Sequence, residues 1–301
     1  MDSKPGTIDL HVHSSASDGS FSPAQLLEQA LALELSAIAI TDHDTVAGAA
    51  EALAHGVPPG LEFLTGVEIS AAYPPAFQQG GSLHILGYGI RTDHGGLNAL
   101  FQKQQNARAD RNPLIIEKLN ALGIYVSLDD IAADCGKPAV ARPHIAEYLV
   151  KTGHAADMDD AFDRWLGKGQ PAYVDKFRVA AQDAIALIQD AGGLAVMAHP
   201  GVSAPDDTLE ELVTTLTTMG LSGIEVYYPG QAEARTESLE KLARRHGLLM
   251  TGGSDFHGDI NPEIQMGSGL GDLEIPYAVF AQLKTVLDPL QPQATKNSKT
   301  P

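Results

Sequence analysis

The chain has 301 residues, is 44% hydrophobic and 19% charged, and carries a net charge of −18. That is long enough for one large domain or two small ones, and too acidic for a broad surface that binds long nucleic acid. No apolar run approaches the roughly 20 residues of a membrane span; residues 1–6 lack the apolar core of a signal peptide, and a single cysteine, Cys135, fits a reducing cytoplasm.

Residues 7–13 read as the first strand. His11 and His13 share one side of it, because side chains alternate along a strand. Two imidazoles on one face are either half of a divalent-metal site or a packed pair at a strand end. Ser22-Pro23-Ala24-Gln25 opens a helix, with Ser22 as N-cap, Pro23 at the first helical position and Gln25 closing a capping box. Leu26, Leu27, Ala30 and Leu33 follow at helical spacing. Residues 37–40 form a wholly apolar second strand, as in a buried parallel sheet, and 45–55 an Ala-rich helix. Strands follow at 61–70 and 83–88.

From 97 to 168 the periodicity is helical, with candidate helices at 97–122, 128–134, 143–152 and 158–166. Alternation resumes with helices at 180–191, 208–219 and 233–246 and strands at 194–198, 223–227 and 248–252. A last helix at 277–287 precedes a polar tail, 291–301, expected to be disordered. The pattern predicts an α/β fold: a parallel βα barrel of six or seven units, distorted or incomplete, built from 1–96 and 169–290, with a helical cap inserted at 97–168. An open doubly wound sheet is the alternative. Lys and Arg from Lys103 to Arg178 number 11 of the chain's 20, against 11 acidic residues from Asp110 to Asp175. That stretch is neutral. Its basic side chains are solvated helix surface or cover for an anionic substrate.

Polar residues recur where the predicted strands end. His11, His13 and Asp18 follow the first, and Thr41-Asp42-His43-Asp44 the second. Glu68 ends the third, and His84 lies on the fourth. Ala198-His199-Pro200 and Ser254-Asp255-Phe256-His257 close later ones. One such residue is an ordinary strand end. Six groups on one barrel face point to metal. Nine candidate ligands are too many for one ion and suit two or three, with Glu68 and Asp255 as natural bridges. Imidazole and carboxylate donors without a cysteine cluster suit manganese, iron or zinc.

In order along the chain, His11-x-His13, Asp18-Gly19, Thr41-Asp42-His43, Gly66-Val67-Glu68, His84, Ala198-His199-Pro200 and Ser254-Asp255-x-His257 resemble the motifs of the PHP (polymerase and histidinol phosphatase) family. The resemblance implies a distorted (βα)7-type barrel, a centre of two or three ions, often manganese, and phosphoester hydrolysis. It implies one ion on His11, His13, Glu68 and Asp255, a second on Glu68, His84 and His199, and a third on Asp18, His43 and His257. Ala141-Arg142-Pro143-His144 and the segment from Leu166 to Val174 look like the cap of members similar to nucleoside 3′,5′-bisphosphate phosphatases and 5′–3′ exoribonucleases. In that reading Arg142 and His144 hold phosphate oxygens, with Lys176 as a further candidate.

The expected reaction is removal of the 3′-phosphate of a small nucleotide such as adenosine 3′,5′-bisphosphate. A water shared between ions is the expected nucleophile. His199 and Asp255 are the expected catalytic residues, and no obligatory protein partner is evident. Exonucleolytic cleavage of short RNA is the alternative. A non-catalytic binding module on the same fold would show a degraded ligand set, whereas all nine ligand types stand here.

Overall fold

The computed structural model describes residues 6–77, 81–135, 140, 142–203 and 205–290. The expected tail at 291–301 lies outside the described residues, as do Ala141 and most of the first six positions. The chain opens with β1 (Ile8–Val12), α1 (Pro23–Ala32), β2 (Ala37–Ile40), α2 (Ala47–His55), β3 (Glu62–Ala72) and β4 (Leu83–Tyr88). Next come α3 (Gly95–Ala121), α4 (Leu128–Cys135), α5 (Arg142–Lys151), α6 (Met158–Ala161) and a π-helical turn, Phe162–Leu166. The remainder is β5 (Val179–Ala180), α7 (Ala181–Asp190), β6 (Leu194–Met197), α8 (Pro200–Ser203), α9 (Asp206–Thr218), β7 (Gly223–Tyr227), α10 (Glu233–Arg245), β8 (Leu249–Gly252), a 3₁₀ turn at Gly258–Ile260, and α11 (Tyr277–Leu287). Among the described residues, no helix is long and apolar enough to cross a membrane.

The chain divides into two compact units. One runs to Ala99 and resumes at Val179; the other is Leu100–Arg178. The first unit holds one sheet in the order β1-β2-β3-β4-β6-β7-β8, with β5 pairing β3. It curls so that the segment after β8 returns to β1: Asp255 N donates to His11 O (2.9 Å) and His13 N to Phe256 O (2.9 Å).

The sheet differs from the all-parallel barrel the pattern predicts. β4 runs antiparallel to both β3 and β6. The cause is the short connection from Ala72 to Leu83; a parallel crossover needs a dozen or more residues, usually helical. The reversal matters for the site. His84 stands near the start of β4, opposite Ser70 near the end of β3, so it joins the rim that the parallel strands reach with their C-terminal ends.

Local sequence explains how the first unit is assembled. Ser22 accepts from Gln25 N while the Gln25 side chain accepts from Ser22 N, the anticipated capping box. Leu26, Leu27 and Ala30 of α1 then pack with Val12, Ile38 and Ile40, all fully buried. Each buried Leu or Ile stabilises the fold by roughly 1.5–3 kcal/mol. The opposite face of the sheet, with Ile8, Leu10, Ala37, Ala39, Leu86 and Val196, packs on Val279, Phe280 and Leu283 of α11. Ile8 and Leu10 thus belong to one face and Val12 to the other. A register shift between Asp9 and Val12 permits this, as a bulge does. It puts His11 and His13 on the face away from α1.

The second unit has its own core of Ile115, Leu119, Ile131, Ile145, Leu149 and Leu166. The helix expected at 158–166 changes geometry at Phe162, where Gly167 N donates to Phe162 O (2.7 Å), a five-residue step that opens a π-turn. This unit extends ten residues beyond the expected insertion boundary at 168, so Lys176 falls within it.

Candidate metal centre

The rim of the first unit gathers all nine predicted ligands around the Glu68 carboxylate. Glu68 sits in β3 and is 1% exposed. Its Oε2 lies 3.3 Å from His11 Nε2, 3.3 Å from His13 Nε2 and 3.0 Å from His43 Nδ1. Its Oε1 lies 2.9 Å from His84 Nδ1 and 3.1 Å from His199 Nε2. Asp255 Oδ1 reaches the same imidazoles as Oε2, at 3.3 Å from His11 Nε2 and 3.1 Å from His13 Nε2. Asp18 lies 3.5 Å from His257 Nε2 and 3.8 Å from His43 Nε2.

Ligand atoms converge in three groups: His11, His13, Glu68 and Asp255; His43, Glu68 and His84; and His13, Asp18, His43 and His257. The second group holds His43 where the expectation had His199. His199 is close by, with Nε2 3.3 Å from His84 Nδ1. His43 faces two carboxylates with two nitrogens, Nδ1 toward Glu68 and Nε2 toward Asp18. A neutral imidazole carries a proton on one nitrogen and offers a lone pair on the other, so His43 can serve one ion at a time.

The donor set fits divalent ions. Among the described residues, His11 Nε2, both ring nitrogens of His13, His43 Nδ1 and Glu68 Oε2 are buried without a hydrogen-bond partner. Buried polar atoms are nearly always satisfied, and five orphans converging in one place are what ligand atoms look like. The electrostatics agree. Burial works against ionisation of Glu68, but the imidazoles of His43, His84 and His11 hold its carboxyl well below the usual range. Asp255 is likewise lowered against burial by His11 and His13. Burial would lower His13 too, but Asp255 and Glu68 hold it at about 10. For His43 burial prevails, and its pKa falls to about 4. Without ions, protons on some imidazoles balance the carboxylates; ions would replace those protons.

Buried aspartates brace the loops that carry the ligands. Asp9 accepts from Ser254 N (2.9 Å) and Gly267 N (2.7 Å), tying β1 to the Asp255 loop. Asp42 accepts from Ser14 N and Ser17 Oγ, both at 2.7 Å, fixing the turn that ends in Asp18. Asp44 accepts from Ser70 N (2.8 Å). Asp44, His199 and Asp255 have φ of 52°, 30° and 56°, a left-handed conformation that costs non-glycine residues energy and gathers at functional sites.

Two further residues escaped the sequence reading. Glu225, fully buried in β7, lies with Oε1 2.9 Å from His11 Nδ1 and accepts from His199 N at Oε2 (2.7 Å). Its only signal was a lone carboxylate within the apolar run Gly223–Tyr227. Tyr228 donates its hydroxyl to Asp255 Oδ2 (2.9 Å). Tyr88 is core, its hydroxyl on Leu10 O (2.9 Å).

The substrate candidates belong to the second unit. Arg142 opens α5; its guanidinium lies over the Phe162 and Tyr173 rings, and Nη1 donates to Leu166 O (3.4 Å). His144 and Lys176 are half-buried there.

A curled sheet whose rim gathers histidines around a shared buried carboxylate defines a class, the α/β proteins with side-chain clusters that could hold metal. The chain belongs to the PHP domain family, whose model matches residues 9–197. It is 36% identical over 252 residues to a 3′,5′-nucleoside bisphosphate phosphatase of Chromobacterium violaceum, covering 83% of this chain and 87% of that one. It is also 36% identical over 250 residues to a 5′–3′ exoribonuclease of Haemophilus influenzae, covering 83% and 89%. A solved structure from Bifidobacterium adolescentis, assigned as a metal-dependent phosphoesterase, superposes with a TM-score of 0.75 at 31% identity, covering 93% of this chain and 96% of the other.

Proposed function

We propose that this chain is a metal-dependent phosphoester hydrolase that removes the 3′-phosphate of a small nucleotide such as adenosine 3′,5′-bisphosphate, giving AMP and phosphate. The observation that carries this reading is the Glu68 carboxylate, buried and shared among five imidazoles. His11, His13, Glu68 and Asp255 would hold one ion, Glu68, His84 and His199 a second, and Asp18, His43 and His257 a third. Manganese suits this set, with zinc or iron as alternatives. Such ions, when bound, acidify water and offset charge on phosphoryl oxygens.

The chain's own residues divide the remaining work. His11 and His13 close the inner side of the centre and keep water from it, both fully buried. His43 and His84 are about a quarter exposed, and Asp18 about half, so a phosphate approaches from their side. The Tyr228 hydroxyl holds Asp255 Oδ2 and leaves Oδ1 facing His11 and His13. His199 turns Nε2 toward Glu68 Oε1 and the second ion and Nδ1 toward Ser203 Oγ (3.2 Å), so it would act as a ligand, and the leaving oxygen takes its proton from water. Arg142, His144 and Lys176 are assigned to substrate phosphate oxygens by their chemistry, Arg142 through its planar fork of donors.

A second reading is exonucleolytic cleavage of short RNA, favoured by the likeness to the Haemophilus influenzae exoribonuclease. Both readings use one centre. The test compares manganese-dependent phosphate release from adenosine 3′,5′-bisphosphate and histidinol phosphate with nucleotide release from a 5′-phosphorylated short RNA. Turnover of the bisphosphate above the other two supports the proposal. RNA cleavage without bisphosphate turnover replaces it with the second reading.

A further inference from the structure

Glu225 is a fully buried carboxylate that none of the three ligand groups uses. It stands behind the centre. His11 turns Nε2 toward Glu68 and Asp255, each 3.3 Å away, and Nδ1, across the ring, toward Glu225 Oε1 at 2.9 Å. The other oxygen, Oε2, accepts from the backbone N of His199 at 2.7 Å. Its oxygens face His11 Nδ1 and the His199 backbone, and it stands outside the three ligand groups, so Glu225 positions ligands. His199 is also a residue whose φ of 30° needs holding.

We infer that Glu225 is a positioning residue that prepares two ion sites at once: it fixes the His11 tautomer for one and pins the His199 backbone for the other. Proton placement follows from the geometry. A carboxylate facing Nδ1 keeps the proton there and leaves the Nε2 lone pair aimed at the centre. Carboxylate partners of this kind, behind a ligating histidine, typically change metal affinity by about 10–100-fold. Glutamine at 225 keeps the volume but offers one acceptor for two donors. If its amide NH2 faces His11, the ring must turn its proton onto Nε2, the nitrogen the ion needs. If it faces His199, a buried N–H loses its acceptor. Either outcome weakens a site.

The inference rests on the metal reading, and the experiment separates the two. Metal-free full-length protein is titrated with Zn2+ against a chromophoric chelator, as wild type, Glu225→Gln, His11→Ala and the double variant. Glu225→Gln should bind about 10–100-fold more weakly, and in the His11→Ala background it should cost distinctly less, because the two residues act through one ring. Wild-type binding by Glu225→Gln, or fully additive losses, would overturn the inference. Failure of the wild type to bind Zn2+ would instead overturn the metal reading. If Glu225→Gln does not fold, nitrogen NMR of the zinc-loaded wild type decides. A proton on His11 Nδ1 with Nε2 ligated supports the inference, and an unprotonated Nδ1 overturns it.

Discussion

Replacing Glu68 by glutamine perturbs the centre at its hub. The amide keeps the volume of a side chain that is 1% exposed and removes the charge shared by His11, His13, His43, His84 and His199. At an effective dielectric of about 20, two unit charges about 4 Å apart interact by about 4 kcal/mol, and beside a divalent ion by about twice that. If compensation by solvent and neighbouring groups removes half of the larger figure, about 4 kcal/mol remains, or about 10³-fold in rate. The assay measures manganese-dependent phosphate release from adenosine 3′,5′-bisphosphate, with metal content by elemental analysis and circular dichroism as a control for folding. A folded Glu68→Gln protein that keeps its full metal content and works within tenfold of wild type would refute the reasoning.

Three further outcomes follow from the geometry. Burial disfavours the charged form of His13, yet Asp255 and Glu68 hold its pKa at about 10. At pH 8 the metal-free ring therefore carries its proton, and ion uptake must expel it; calorimetry of Zn2+ binding in buffers of different ionisation enthalpy should report proton release, and a buffer-independent heat would contradict this. Tyr228→Phe removes the hydrogen bond to Asp255 Oδ2; a bond to a charged group is worth about 1.5–3 kcal/mol, so kcat should fall at least about tenfold with the protein still folded by circular dichroism, and an unaltered kcat would deny Tyr228 its role. Arg142→Ala should raise KM for the bisphosphate with little change in kcat, whereas an unchanged KM would leave Arg142 only its contacts with Leu166, Phe162 and Tyr173.

The residues that meet around Glu68 were legible as candidates because they stand in short-range patterns. His11 and His13 declare a shared face through alternation alone, and His43, Glu68, His199 and Asp255 follow apolar runs. Helix α1 was legible for the same reason, since its cap and apolar spacing lie within a dozen residues. What escaped depends on distant partners. The register shift between Asp9 and Val12 exists only when β2 pairs with β1. The direction of β4 depends on which strands flank it, and without that direction His84 has no clear reason to reach the rim. Glu225 meets His11 across 214 positions, and nothing near it in the chain marks that meeting. Asp9, Asp42 and Asp44 look like ordinary polar residues at strand ends until the backbone donors they accept from are known.

The central claim is that buried histidines and carboxylates around Glu68 hold the ions on which phosphoester hydrolysis depends. The most direct measurement strips the full-length protein with a chelator, returns Mn2+ in steps, and follows bound metal and phosphate release from adenosine 3′,5′-bisphosphate together. The account predicts that activity vanishes on stripping and returns only as two or more ions bind per chain. Full activity in the stripped protein, or activity that saturates with a single bound ion, would contradict it.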